Sequence, residues 1–191
     1  MEFRIEDFEV KELEKGKYIK PFLVTYKLNG QKKSWEVVKV YDSVAILIYH
    51  KEHKSFILVR QFRAPLYFNS KVNGGVTVEL CAGLVDKDLS LEEIAASEIE
   101  EECGFRVEPN RLKRVNSFYT SVGFAGSKQT LFYVEVSEKD RVGDGGGIAG
   151  EEQIEVIEIP ISQIEEFIYN ESIPKTPGLL YALCWWQREF I

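Results

Sequence analysis

The stretch Glu79-Leu-Cys-Ala-Gly-Leu-Val-Asp-Lys-Asp-Leu-Ser-Leu-Glu-Glu-Ile-Ala-Ala-Ser-Glu-Ile-Glu-Glu-Glu-Cys-Gly-Phe105 decides the fold, because a strand, a loop, a helix and a stop follow one another inside it. Ser90 is an N-cap residue, Glu93 stands where a capping box places its carboxylate, and Leu89 with Ile94 makes the pair of a hydrophobic staple. The helix therefore begins at Leu91. Gly104 is the residue type that best accepts the left-handed conformation ending a helix, so the spacing predicts about three and a half turns.

On a wheel of 100° per residue, Leu91, Ile94, Ala95, Ile99 and Cys103 share one broad face. Three acids fall on that same face. Glu98 is four residues after Ile94, Glu101 seven after Ile94, and Glu102 seven after Ala95. Glu92, Glu93 and Glu100 point toward solvent. No Lys or Arg lies between Asp88 and Phe105, so pairing within the helix does not explain the inward acids. A merely solvated acidic face would place the carboxylates opposite the aliphatic stripe. Neighbouring half-buried carboxylates repel and lose hydration, and a cation offsets both effects. Oxygen ligands of this kind suit Mg²⁺, with Mn²⁺ as the alternative ion.

With these residues in place, the segment resembles the Nudix box of hydrolases that cleave nucleoside diphosphates linked to another group. Gly83 and Gly104 stand 21 residues apart, as the box requires, and Glu98, Ile99, Glu101, Glu102, Gly104 and Phe105 occupy its places. Leu89 replaces the loop Glu of the box and Ser97 its Arg. The wider run from Leu80 to Gly147, including Val122-Gly-Phe-Ala-Gly-Ser-Lys-Gln-Thr-Leu-Phe-Tyr133, is similar to the animal branch acting on UDP-sugars.

The resemblance implies an α/β fold, the Nudix α/β/α sandwich with a mixed sheet and an N-terminal antiparallel β arm. It implies Mg²⁺-dependent hydrolysis of UDP-glucose to UMP and glucose 1-phosphate. Glu98, Glu101 and Glu102, with the carbonyl of Ala82, would hold the metal. Glu151 or Glu152, beyond a glycine-rich loop, would take a proton from water, with Glu101 and Glu102 in the catalytic set. Gln61-Phe62-Arg63 resembles the element by which such enzymes approach substrate, and an Arg there can fork onto phosphate oxygens. Glu79, near the metal loop, and Phe124 and Lys128, in a Gly- and Ser-rich loop, complete the expected substrate contacts. ADP-ribose pyrophosphatases commonly carry a Pro near the position of Ser121 and Val122, and its absence favours a UDP-sugar. Two alternatives stand beside this reading. One is the same chemistry on ADP-ribose; the other, prompted by Leu89 and Ser97, is a nucleotide-binding protein without turnover.

Composition narrows the partners. A net charge of -7 over 191 residues argues against a nucleic-acid backbone or an anionic membrane. Cys81, Cys103 and Cys184 are odd in number and lack a Cys-X-X-Cys pattern, which suggests buried thiols in a reducing compartment. There is no apolar leader near the N-terminus and no apolar run of membrane length, so a cytoplasmic protein is expected.

Residues 1–42 read as a β arm, with strand formers at Ile5–Val10 and Pro21–Leu28 and the hairpin signal Asn29-Gly30 before Lys32–Tyr41. A lone hairpin has too little core to stand unaided, and in related enzymes this arm makes a homodimer. Residues 43–191 form the hydrolase domain. Ser43–Tyr49 and Ser55–Gln61 read as antiparallel buried strands, with His50 and His53 on a solvated turn between them. Leu66–Gly75 reads as a flexible loop, and Val76–Leu80, Arg111–Ser117, Gln129–Val136 and Ile154–Ile159 as strands. Gly143, Gly145, Gly146, Gly147 and Gly150 read as a linker or as a lid delivering Glu151 or Glu152. Ser162 is expected to cap a short helix, and Thr176-Pro177 to open a terminal one with Leu179, Leu180, Leu183 and Trp186 packed inward.

Overall fold

The computed structural model describes residues 2–13, 16, 19–148 and 152–191. In chain order it contains strands β1 (Lys20–Leu28), β2 (Gln31–Lys39), β3 (Ser43–His50) and β4 (Ser55–Phe62), helix α1 (Ala64–Asn69), strands β5 (Val76–Glu79) and β6 (Cys81–Leu84), helix α2 (Leu91–Cys103), strands β7 (Lys113–Thr120), β8 (Ser127–Val136) and β9 (Ile154–Pro160), and helices α3 (Ile164–Tyr169) and α4 (Pro177–Phe190).

β3 explains the layering. Its side chains alternate across the sheet, and both sets are apolar. Val44, Ile46 and Ile48 join Ile94, Ile99 and Phe105 in the core beneath α2. Ala45 and Leu47 join Leu58, Leu131, Phe167, Leu179 and Leu183 in a second core beneath α3 and α4. The result is the three-layer α/β/α sandwich. The seven-stranded sheet is mixed, since β3 runs parallel to β8 while its remaining ladders are antiparallel.

The sheet forks between β3 and β4, and the fork positions the site. β3 meets β4 only through Ile48–His50 against Ser55–Ile57. Its first half, Ser43–Ile46, pairs with β6, and the second half of β4 pairs with β5. Residues 76–84 thus enter the opening, and α2 leaves it to cover β6.

The arm is a separate two-stranded sheet whose turn has Asn29 at φ 51° and Gly30 at φ 79°, the paired positive angles of a tight hairpin. Every residue of β1 is exposed. Ile5–Val10, expected as strand, forms none. The hairpin is tied to the rest of the chain by Val38 N–H donating to the Phe124 carbonyl at 2.8 Å and by Trp35 Nε1–H donating to the Gly123 carbonyl at 2.7 Å.

Four local expectations need correction. The loop expected at Leu66–Gly75 holds α1 and a 3-10 turn at Val72–Gly75; Pro65 suits the first turn of α1, and the rings of Phe62 and Tyr67 pack at 5.7 Å. Ser162 lies inside a 3-10 turn, and Gln163 occupies the N-cap of α3. His50 ends β3 and is buried, because the strand runs one residue past the apolar stretch. Cys81 and Cys103 are buried as expected, but Cys184 lies on the outer side of α4. Among the described residues no helix is long and apolar enough to cross a membrane.

Candidate active site

Local signals hold α2 in register at both ends. Ser90 Oγ accepts from Glu93 N–H at 3.2 Å while Glu93 Oε2 accepts from Ser90 N–H at 2.8 Å, a reciprocal capping box. Gly104 ends the helix at φ 75°. Between them Ile94, Ala95, Ile99 and Cys103 are buried, and so is Glu102, which is only 5% exposed. Glu98 and Glu101 are half-buried on that side. Glu100 turns outward, where Arg106 forks onto it at 2.8 and 2.6 Å.

Two contacts tie the acids to β6. Glu102 Oε2 accepts from the Ala82 N–H at 3.0 Å. A Cβ at Gly83 would collide with the Glu98 carboxyl group, so only glycine leaves room for that side chain against the strand. Glu98, Glu102, Ala82 and Gly83 therefore meet where β6 passes beneath the last turns of α2.

No direct ion pair between described residues neutralises the acids at this meeting point, although the charges of Lys87 and Arg63 reach Glu98 and Glu102 from further off. Among the described residues, the ion pairs engage Glu79, Glu100 and Glu155 but none of Glu98, Glu101 and Glu102. Burial pushes the Glu102 carboxyl up to about 8, against the pull of the Ala82 N–H and Cys81, and the charges of Glu98 and Glu152 push the same way as burial. Glu98 is pushed up to about 7 by burial and then by Glu101, with Lys87 opposing. The three carboxylates are not gathered within 4.8 Å of one another, as unpaired like charges would repel. A desolvated acidic set that no described side chain ion-pairs fits a hard divalent ion, which takes one to three carboxylates and completes its shell with water and phosphate oxygens.

Arg63 is engaged rather than free. Its Nε–H and Nη2–H groups donate to Glu79 Oε1 and Oε2 at 2.7 and 2.6 Å, and Thr77 Oγ1 also donates to Glu79. Gln61 lies on β4, in register with Thr77 of β5 and Ile154 of β9. Glu152 Oε2 accepts from Ile148 N–H at 3.4 Å, and its charge acts on Arg63, Glu98 and Glu102. Glu151 lies outside the described residues.

A cleft of about 610 Å³ opens from this point on the α4 side of the sheet, running from Glu79 and Ala82 past Phe118 and Gln129 to Thr176 and Tyr181. Phe124 and Lys128 do not line it. Phe124 is 56% exposed and bonded to the arm, and the Lys128 N–H donates to Asp42 Oδ1 at 2.8 Å. The sequence reading missed Asn116, Phe118, Gln129 and Tyr181, which come from β7, β8 and α4; the Asn116 amide donates to the Tyr181 hydroxyl at 2.8 Å. Two signals lay nearby: the Gly- and Ser-rich loop from Tyr119 to Gln129, of which Tyr119, Thr120, Ser121 and Gln129 line the cleft, and Thr176-Pro177, which opens α4 at the cleft wall.

His50, His53 and Glu138 form a second cluster, with the two imidazoles stacked at 3.9 Å. His50 Nδ1 accepts from His53 N–H at 3.2 Å, so Nε2 carries the proton and donates to Glu138 Oε1 at 3.1 Å. That nitrogen has no lone pair to offer a metal, and the cluster is a hydrogen-bonded brace between β3 and the segment after β8.

A model described as the NUDIX domain matches residues 40–176, more than half of the chain and all of the forked sheet. The chain belongs to the Nudix family. A relative from Mus musculus, named uridine diphosphate glucose pyrophosphatase NUDT14, is 40% identical over 200 residues, which cover 91% of this chain and 90% of that protein. The Bos taurus protein of the same name is 38% identical over 208 residues, 95% of this chain and 94% of its own length. A GDP-mannose pyrophosphatase from Cronobacter sakazakii is 39% identical over 150 residues, 75% of each chain. A crystal structure of an ADP compounds hydrolase superposes with a TM-score of 0.70 at 16% identity, over 93% of this chain and 91% of the other, so the two share a fold. Nudix hydrolases work with a divalent metal, and the acids of α2 fit one.

Proposed function

We propose that this Nudix pyrophosphohydrolase is a Mg²⁺-dependent nucleotide-sugar diphosphatase that hydrolyses UDP-glucose and other UDP-sugars to UMP and the sugar 1-phosphate. The observation that carries the reading is Glu102, buried, oriented by the Ala82 N–H and in no ion pair among the described residues. The UDP-glucose specificity is supported by the two relatives of that name, aligned over more than nine-tenths of the chain.

In this reading Glu98, Glu101 and Glu102, with the Ala82 carbonyl, hold the ion. When bound, the ion neutralises charge on the diphosphate and makes water a better nucleophile at neutral pH. Glu152 or Glu151 takes the proton. Arg63 exchanges one arm of its fork from Glu79 to a phosphate oxygen, and Gln61 stands beside it. The cleft between Phe118 and Tyr181 takes one end of the substrate. Residues 1–42 serve as a dimerisation arm and 43–191 as the catalytic domain; an exposed hairpin presenting Phe22, Leu23 and Trp35 supports that division. Net charge and cysteine usage fit a cytoplasmic homodimer acting on small molecules, with neither nucleic acid nor membrane as its partner.

The test is a Mg²⁺-dependent hydrolysis screen over UDP-sugars, GDP-mannose and ADP-ribose with product identification. UMP with glucose 1-phosphate at the highest kcat/KM supports the assignment. Preference for GDP-mannose, which the bacterial relative's name makes the sharpest competitor, would reassign the substrate within the same chemistry.

A further inference from the structure

Glycine-rich loops are usually read as slack. Residues 143–147 contain Gly143, Gly145, Gly146 and Gly147, yet they are fitted against the end of α2. The last carbonyls of an α-helix have no partner inside the helix. Here the Gly146 N–H donates to the Glu102 carbonyl at 2.9 Å and the Gly147 N–H to the Glu101 carbonyl at 3.1 Å. These two acceptors belong to residues whose side chains face the metal site. On its other side Gly146 accepts from Ile154 N–H at 3.3 Å, which ties the segment to the first residue of β9.

Only glycine allows this approach. A Cβ at Gly145 would collide with the Glu102 carbonyl and the Cys103 backbone, and one at Gly147 would stand 2.6 Å from Glu152 Oε2. Gly145, Gly146 and Gly147 also sit at φ 70°, 110° and 79°, in the region that L side chains disfavour. Space and conformation both exclude a larger residue at Gly145 and Gly147, and conformation alone disfavours one at Gly146. A plain linker would need none of these contacts, and a free lid would break them.

We infer that Gly145, Gly146 and Gly147 form a backbone clamp that sets Glu101 and Glu102 at a fixed distance from the Glu152 carboxyl. One edge of the clamp holds the main chain of the two metal-facing acids, and the other lies against Glu152, one of the two carboxyls proposed to take the proton. The glycines are thus positioning residues, acting through α2 and Glu152. The inference rests on the diphosphatase reading for the role of those acids.

The test compares full-length Gly145→Ala and Gly146→Ala with wild type. Gly143→Ala is the control, since its added methyl meets nothing within 4 Å, its φ is not positive and its N–H is kept. Three quantities are measured: Mn²⁺ affinity without substrate by electron paramagnetic resonance, the Mg²⁺ concentration for half activation, and kcat and KM for UDP-glucose. Gly145→Ala is expected to weaken Mn²⁺ binding and raise the half-activating Mg²⁺ several-fold. Its kcat is expected to fall roughly tenfold to hundredfold, on the scale of a misplaced catalytic group. KM stays within about twofold, because the cleft is untouched; loss of packing alone would not give that split. Gly143→Ala should match wild type. Gly146→Ala meets no atom closer than 3.6 Å and is strained only by its φ of 110°, so it is the milder variant and should show the same losses to a smaller degree. Wild-type Mn²⁺ affinity and kcat in either folded glycine variant would overturn the clamp. A wild-type protein that hydrolyses no nucleotide sugar, while Gly145→Ala still loses Mn²⁺ affinity, would overturn the diphosphatase reading and leave the clamp standing.

Discussion

Replacing Glu102 by Gln separates what this carboxyl does for turnover from what it does to stability. Its pKa is pushed from an ordinary 4.5 up to about 8, chiefly by burial. A carboxyl with a raised folded-state value binds its proton more tightly folded than unfolded, so folding takes up a proton and stability falls as pH rises between those values. In the metal-free protein the penalty is absent below the ordinary value and reaches roughly 3 to 4 kcal/mol at pH 7 to 8. Gln keeps an oxygen to accept from the Ala82 N–H, now at 3.0 Å, and carries no charge. Its new amide protons lack an assigned partner, which takes back roughly 1 to 2 kcal/mol. Glu102→Gln should therefore raise the thermal midpoint in EDTA at pH 8 by about 4 to 8 °C, at roughly 2 to 4 °C per kcal/mol for a chain of this size. Toward pH 4.5 the advantage disappears. Saturating Mg²⁺ should reverse the order, since it stabilises the ionised wild type, and turnover of UDP-glucose should fall by at least about a hundredfold in the variant. Differential scanning fluorimetry across pH, with and without metal, reads the first effect and phosphate release the second. A variant no more stable than wild type in EDTA at pH 8 would refute the desolvation argument, and one with normal turnover would remove Glu102 from the site.

Three further predictions address separate parts of the molecule. Glu100→Gln, which only loosens an exposed fork with Arg106, should leave kcat and KM within about twofold of wild type in the same assay. Gly83→Ala forces the flexible Glu98 side chain away from β6, so kcat should drop about tenfold or more while circular dichroism shows an intact fold; an active Gly83→Ala would mean Glu98 does not act from that position. Leu23→Asp, which places a charge on a side chain 68% exposed in the arm, should shift light-scattering mass from dimer to monomer without unfolding the catalytic domain, and an unchanged mass would dismiss β1 as the subunit contact.

Much of this arrangement was legible along the chain because its causes are local. Ser90, Glu93 and Gly104 set both ends of α2 through hydrogen bonds and a backbone angle that span only a few residues. The phase of Glu98, Glu101 and Glu102 against Ile94 and Ile99 follows from helical geometry alone, and so does the inward turn of Glu102. Asn29-Gly30 specified its hairpin for the same reason. His50 was misplaced because the turn after it looked polar, whereas the ring ends β3 against Phe105 and bonds Glu138, both distant in sequence. Residues 66–75 looked like loop because the run holding α1 is too short to show a period.

Read alone, then, the chain establishes a capped helix with carboxylates on its inner side and a strand apolar on both faces, since side-chain periodicity and steric preference act between near neighbours. It does not establish that β5 and β6 enter a fork between β3 and β4, that Arg63 rests on Glu79, that Phe118, Gln129 and Tyr181 share a cleft, or that a run of glycines closes on the end of α2. Those outcomes depend on which distant backbone groups find each other when two cores close at once. No local pattern encodes that choice.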